Sequence, residues 1–393
     1  MRMVAVGILL LSFTAAASGN QFYVLQGIDK TQPDDVITSP GVDGYTIRVS
    51  WNKLHQDGFN WLDNQVARGA ELDTNIQLRV MAGAYAPANL ADVSYFDYLS
   101  TDQDGSIVQR RAPVPWDGAM QQHWQGLVSA LGARYGNNHR IKVIHVPSFA
   151  NSSELLMPDE VTLLPSYSSQ ALAASWAAMA EPLATAFPQA IVSLNYSTPT
   201  QARIDGDDSD WLVEEIAALA DERAGYQAND FAADISLERN KYQTLLEQRD
   251  VGRHIGFQMV SSSNTERFGG DFLDAIALSS QAGAEWLEIY AADVENIPRH
   301  GDYDLDGEVG GADFLAWQRG FGATGAAATR AQGNADGDSD VDGADLTQWT
   351  ENYGASSLLA IGRVPEPSSE HLYLVAAAVL SGGANSLRRN RPV

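Results

Sequence analysis

The chain has 393 residues, more than one average domain, and its 45% hydrophobic content is ample for a packed core. A formal net charge of −25 argues against nucleic acid or an anionic membrane as partner, and the absence of cysteine excludes disulfides, thiol catalysis and cysteine-based zinc sites. The charge is uneven: residues 301–354 hold nine Asp and two Glu against Arg319 and Arg330, a net −9 that would repel itself without bound cations.

Taken in order, the chain opens with Met1-Arg2-Met3, an apolar run from Val4 to Phe13, and Ala15-Ala16-Ala17-Ser18. A basic start, a short apolar core and a small-residue cleavage region make residues 1–19 a secretory signal peptide, with a mature start around Gln21. The run is too short to span a bilayer comfortably. From Phe22 to about Asn296, short apolar β-branched runs alternate with longer Ala/Leu-rich stretches of helical period. The spacing predicts strands at Phe22–Ile28, Tyr45–Ser50, Ile76–Met81, Ile141–Val146, Ala190–Asn195, Phe231–Ile235, Ile255–Val260 and Trp286–Tyr290. Helices are expected at Asn60–Glu71, Gly118–Tyr135, Ser168–Phe187, Asp210–Arg223, Lys241–Glu247 and Phe272–Ala282. Eight strand–helix units within residues 21–297 have the pattern and size of an α/β protein with a (β/α)8 TIM-type barrel. No strand is followed by a glycine-rich phosphate loop, so a nucleotide-binding, doubly wound sheet has no support.

Barrel chemistry sits at the C-terminal ends of the strands. Those ends offer Arg48 and Trp51 after the second strand, Arg79 and Tyr85 at the third, and Glu154 past the fourth. They continue with Asn195 and Tyr196 at the fifth, Gln258 at the seventh, and Trp286, Glu288 and Tyr290 on one face of the eighth. Carboxylates, aromatic faces and amides around one mouth are the equipment of sugar chemistry. Two carboxyl groups flank a glycosidic bond at about 5–5.5 Å in retaining hydrolysis and roughly 6.5–9.5 Å in inverting hydrolysis. Glu154 is the expected acid/base and Glu288 the expected second carboxylate, as nucleophile. Arg48, Trp51, Arg79, Tyr85, Asn195, Tyr196, Gln258, Trp286 and Tyr290 are the expected sugar contacts. The competing reading of Glu288 is a structural acid paired with Arg48 or Arg79. The competing reading of the barrel is glycan binding without cleavage.

The runs Gly44–Trp51, Gln77–Gly83 and Gly283–Tyr290 give the stretch from Tyr45 to about Asn296 a resemblance to secreted glycoside-hydrolase barrels. The clan in question places its acid/base after strand four and its nucleophile after strand seven. The resemblance implies hydrolysis of an extracellular polysaccharide. The chain departs from that clan in two places. Ser153, not Asn, precedes Glu154, and serines with Asn264 stand at the nucleophile position, Glu266 following two residues on.

Beyond the barrel, the acidic run from Asp302 to Asp313 recurs thirty-two residues later from Asn334 to Asp345. A calcium loop needs side-chain oxygens at positions 1, 3, 5 and 12 and a backbone carbonyl at 7. The first copy supplies Asp302, Asp304, Asp306, Asp313 and the Glu308 carbonyl; the second supplies Asn334, Asp336, Asp338, Asp345 and the Asp340 carbonyl. Two Ca2+ sites are expected. The copies also share Trp317 and Trp349, then Phe321-Gly322 and Tyr353-Gly354. Each therefore reads as a loop opening a short amphipathic helix that stops at glycine. Residues 301–354 resemble the type I dockerin module, a small all-α pair of calcium loop–helix units. Ser339 in place of the turn glycine and the Ala-rich spacer from Ala323 to Gln332 depart from that pattern. The resemblance implies a cohesin-like protein partner, or packing of the module on its own barrel.

Residues 355–363 form a small-residue linker. Val364-Pro365-Glu366-Pro367-Ser368, an apolar stretch from Leu372 to Leu380 and the basic Arg388-Arg389-Asn390-Arg391 follow. Residues 364–393 resemble the PEP-CTERM sorting signal of some Gram-negative bacteria. That resemblance implies export, recognition by sorting and processing machinery in the envelope, and removal of the tail.

Overall fold

The computed structural model describes residues 20–101, 105–335 and 340–355. The expected signal peptide, residues 356–363 of the expected linker, the expected sorting tail and the loop residues Asp336 and Asp338 lie outside the described residues.

The first three strands, β1 (Gln21–Leu25), β2 (Gly44–Ser50) and β3 (Asn75–Met81), are followed by an antiparallel hairpin of β4 (Tyr95–Thr101) and β5 (Ile107–Pro113). The barrel continues with β6 (Ile141–Val146), β7 (Ile191–Asn195), β8 (Ala224–Phe231), β9 (His254–Met259) and β10 (Trp286–Ile289). Eight parallel strands close the ring, β10 pairing back to β1. The expected (β/α)8 barrel forms, with β6 to β10 as its fourth to eighth strands.

One sheet face is apolar. Tyr45, Ile47 and Val49 on β2, Ile76, Leu78 and Val80 on β3, and Leu287 and Ile289 on β10 join the core shared with the surrounding helices. Caps start those helices: Asp117 accepts from Met120 N at 3.0 Å ahead of Gly118–Tyr135, and Ser168 accepts from Ala171 N at 3.0 Å ahead of Ser169–Ala186. The other face fills the barrel. Its lower end is an apolar plug of Tyr23, Val143 and Trp286, with Ile191 against it. Glycine makes room there: a Cβ on Gly256 would lie 2.0 Å from the Trp286 ring. Above the plug the filling turns polar, with Thr46, Gln77, Arg79, His145, Asn195, Gln227 and Glu288 all buried. Branched aliphatic residues usually dominate a barrel interior. Here a hydrogen-bonded column replaces them.

The sixth barrel strand differs from expectation. It is β8, Ala224–Phe231, and precedes the predicted Phe231–Ile235. Its core-facing residues are Ala224, Tyr226 and Ala228, alternating with Gly225, Gln227 and Asn229. It therefore lacks the apolar, β-branched run that marks the other strands.

After β10, the turn Ala291–Asn296 leads away from the upper end, where Asp293 bonds Ser262 and Ser263. It ends at Ile297, which packs beside Gly41 at the lower end. The described residues beyond 300 form two loop–helix units, with helices Gly311–Gly320 and Gly343–Asn352. The units are exchanged by approximate two-fold symmetry. Trp317 Nε1 donates to the Asp342 carbonyl at 2.8 Å, and Trp349 Nε1 donates to the Gly310 carbonyl at 2.9 Å. Buried Arg330 ties this unit to the barrel's exit, donating to the carbonyls of Asp302 (3.1 Å) and Arg299 (2.8 Å). His300 Nε2 lies 3.9 Å from Asp43, just ahead of β2. The loop–helix pair thus sits at the bottom of the barrel, opposite its mouth.

Candidate active site and acidic loops

The polar column is centred on Glu288, whose side chain has no exposed surface. Thr46 Oγ1 donates to its Oε1 at 2.5 Å, Gln227 Nε2 donates to Oε2 at 2.8 Å, and Arg79 Nη2 closes an ion pair on Oε2. Arg79 is also sealed, and its Nη1 donates to Gln258 Oε1 at 2.8 Å and Ser153 Oγ at 3.0 Å. Burial pushes the Arg79 guanidinium below its ordinary value while Glu288 works the other way. His145 lies between Asn195 Oδ1 at 3.0 Å and Gln77 Oε1 at 2.9 Å. Burial, reinforced by Arg79, holds that imidazole well below its usual range, so it is a neutral core histidine.

Closer to the mouth the network reaches Glu154, on the loop after β6. Its Oε1 accepts from Lys241 Nζ at 2.7 Å and from Asn229 N at 3.1 Å. Among the described residues its Oε2 makes no hydrogen bond, and the side chain keeps 13% of its surface exposed. Lys241, nearly buried, also pairs with Asp230 Oδ1 at 3.0 Å, so one ammonium holds two carboxylates together. Burial opposes the Asp230 charge, but Lys241 and the Tyr242 hydroxyl outweigh it and hold the carboxyl below the ordinary range. Asn229 Nδ2 reaches Ser153 Oγ at 2.9 Å, which links this group to Arg79.

The expected site residues divide. Glu154, Arg48, Arg79, Gln258, Tyr85 and Tyr290 gather on the inner face or rim of the upper barrel. Asn195 joins the column and donates Nδ2 to the Ser153 carbonyl at 3.0 Å. Three aromatic assignments need correction. Trp51 is buried edge-on against Trp124 at 5.5 Å, under the helix Gly118–Tyr135. Tyr196 points to Ser209 Oγ (3.3 Å) on the helix Gly206–Ala220. Trp286 belongs to the bottom plug, where its Nε1 donates to Gln227 Oε1 at 2.5 Å. None of the three offers a face to a ligand at the mouth. After β9, Glu266 is exposed on a short turn, and the carboxylate held by that loop is Asp293, buried on Ser262 and Ser263. Lys241, Asp230 and Asn229 are the site residues that sequence reasoning missed. Asn229 and Asp230 fall just ahead of the strand predicted for this position, and Lys241 stands at the start of the predicted helix Lys241–Glu247, away from the strand ends where site residues were sought.

In the first acidic loop, Asp302, Asp304 and Asp306 bring carboxylate oxygens within 4.8 Å of one another. Asp302 is buried with Oδ1 unpartnered, and burial together with Asp313 and Asp306 pushes its carboxyl up to about 6. A buried carboxylate oxygen without a donor is stabilised by a hard cation. Asp313, the expected ligand at position 12, also supports the loop backbone. Its oxygens accept from Tyr303 N (2.6 Å) and Gly310 N (2.7 Å), so the side chain braces the loop. Asp345 repeats this on Ala335 N (2.6 Å) and Asp342 N (2.7 Å). The Glu308 side chain is exposed, Asn334 is buried, and Asp340 bridges Thr324 through the backbone.

Among solved structures, the fold is similar to a glycoside hydrolase at 10% identity, over 70% of this chain and 88% of that one, with a TM-score of 0.44. It is also similar to the catalytic domain of a Thermobifida fusca endoglucanase, at 9% identity over 69% and 79%, TM-score 0.40. A Rhodococcus sp. endo-glycoceramidase II in a cellobiose-like imidazole complex follows at 12% identity over 70% and 73%, TM-score 0.41. No protein-family model matches the chain, and no curated protein does.

Proposed function

We propose that the barrel is a carbohydrate-active domain that hydrolyses glycosidic bonds at its mouth, with Glu154 as the proton-transferring carboxylate. The observation that supports this is the placement of Glu154. It is a partly exposed carboxylate past the fourth barrel strand, with one oxygen fixed by Lys241 and Asn229 and the other open. A general acid/base needs that combination of fixed orientation and a free oxygen. In this reading the second carboxylate is Asp230 in place of Glu288. Both Glu288 oxygens are spent on Thr46, Arg79 and Gln227 in a sealed interior, whereas Asp230 shares Lys241 with Glu154 and is held ionised. Two carboxyls whose environments differ are how one site divides acid and nucleophile roles.

A second reading is favoured by Lys241 itself, which lies where a proton-transferring pair would be expected to face substrate: a mouth that binds glycan without turnover. Release of reducing sugar from a broad polysaccharide panel separates the two. Wild type silent across the panel yet binding glycan would end the hydrolase reading, and activity surviving Glu154→Gln would remove Glu154 from its role.

For the C-terminal unit we propose a dockerin-like module that binds two calcium ions. Asp302, Asp304 and Asp306, with their close-set oxygens and the unpartnered Asp302 Oδ1, would hold the first ion, and the corresponding residues of the second loop would hold the other. The bound ions would neutralise the loops' charge. Export through the N-terminal signal, sorting through the C-terminal tail and docking to a cohesin-like partner complete this reading of an extracellular polysaccharide-acting protein.

A further inference from the structure

We propose that the barrel mouth carries an anion subsite built on Arg48, which takes the negatively charged substituent of an acidic sugar, so that the glycan recognised is a charged one. This deepens the sugar-site reading and rests on it.

Arg48 and Arg79 are direct register partners on β2 and β3, two arginines side by side on the inner face. The carboxylate that pairs on this face, Glu288, is taken by Arg79, Thr46 and Gln227. Arg79 also holds Gln258 and Ser153. Arg48 is anchored differently: its Nε donates to the Gln26 carbonyl at 2.6 Å, and among the described residues it forms no ion pair. Fixing a guanidinium through Nε leaves the Nη1 and Nη2 edge directed away from the anchor, the fork that matches a carboxylate or sulfate. Glu288 acts on Arg48 from a distance, and a partly buried cation that no carboxylate contacts is costly to keep. It is kept here in a protein whose net charge is −25.

The neighbourhood suits a sugar. Tyr290, one residue past the end of β10, and Tyr85, in the turn after β3, are both half-buried. Tyr85 lines a cavity of about 540 Å³ together with Asp29, Ser50, Asn52 and Asn89, and Asp29 N donates to the Arg48 carbonyl at 2.8 Å. Asp29, the carboxylate in that lining, accepts from Ser50 N at 2.8 Å and Ser50 Oγ at 2.7 Å, so it does not serve Arg48. An aromatic wall, amides and one open guanidinium fork are the parts needed to stack a pyranose and read a charge on it.

The test is titration calorimetry of the full chain with three oligosaccharides of equal length: an oligogalacturonate, its carboxyl-reduced neutral counterpart, and a sulfated galactan. At least one charged oligomer is expected to bind about tenfold or more tighter than the neutral one, and the two charged arms tell carboxylate from sulfate. Arg48→Met, which keeps the apolar stem, is expected to abolish that preference, and Arg48→Lys to restore part of it. Equal binding of neutral and charged oligomers, or a preference that survives Arg48→Met, overturns the subsite. Should Arg48→Met fail to fold, the wild-type preference is measured against salt; one that does not fall between about 50 and 500 mM overturns it as well. Equal binding leaves the sugar site standing. No binding to any oligomer, with no hydrolysis, overturns both.

Discussion

At the residue scale, Glu288 shows what a sequence can and cannot say about a carboxylate. Its position two residues from Trp286 and Tyr290 marks it as unusual, because a charged group between aromatic residues is expensive in an ordinary core. Whether it serves substrate or an arginine depends on depth inside the barrel, and depth depends on strand stagger, which no local pattern encodes. The structure puts it opposite Gln258 and beneath the mouth, on Arg79. Removing one partner of such a pair strands the other charge in a dry interior. Glu288→Ala should therefore cost about 3–5 kcal/mol of stability by urea unfolding, and the double change Glu288→Leu with Arg79→Met should recover most of it. A single variant as stable as wild type would show the pair to be hydrated. Asp230 supplies a pH signature. Its folded carboxyl lies below the ordinary Asp value of about 3.9, so its contribution is complete above that value and lost as pH falls through the folded one. Asp230→Asn should flatten the acid limb of stability, measured as the urea midpoint from pH 5 down to pH 2. An unchanged limb would mean Lys241 is held by Glu154 alone.

At the element scale, strands were legible where the core-facing side is branched and apolar, as in β2, β3 and β6. The signal fails at β8, where Ala224 and Ala228 face tightly packed helices and Gly225, Gln227 and Asn229 alternate with them. That single misplacement hid half of the candidate site, since Asn229 and Asp230 stand at the end of this strand. The hairpin β4–β5 was also missed; its pattern is mostly polar because much of it is solvated. The barrel floor illustrates the reverse case, in which small residues carry the architecture. Gly256 exists to admit the Trp286 ring. Gly256→Ala forces a shift of a large, buried and hydrogen-bonded indole, so a loss of about 1–3 kcal/mol is expected in thermal or urea unfolding. A neutral outcome would mean that the plug is loosely packed.

At the scale of the whole molecule, two ends of one barrel carry different chemistry. The mouth holds arginines, a lysine and carboxylates in one network, while the acidic loop–helix pair is seated on the floor through Arg330 and His300. That separation makes their stabilities separable. Among the described residues the two loop–helix units bury Tyr303, Val309, Ala328 and Val341, and their aromatic series Phe321, Trp317, Phe314, Trp349 and Tyr353 is only partly covered, with exposed outer members. Such a small core cannot offset nine aspartates unless cations do so. The barrel, by contrast, has its own large continuous core between sheet and helices, against which Leu305 of the first loop packs. Chelating calcium should therefore unfold residues 301–354 and leave the barrel intact. Calorimetry in excess calcium and in chelator should show a low-temperature transition in chelator that shifts upward by tens of degrees when the ion is restored, while the barrel transition stays in place. Identical traces under both conditions would show that the acidic loops fold without metal, and a barrel transition that moves with calcium would show that the Arg330 and His300 contacts couple the two ends.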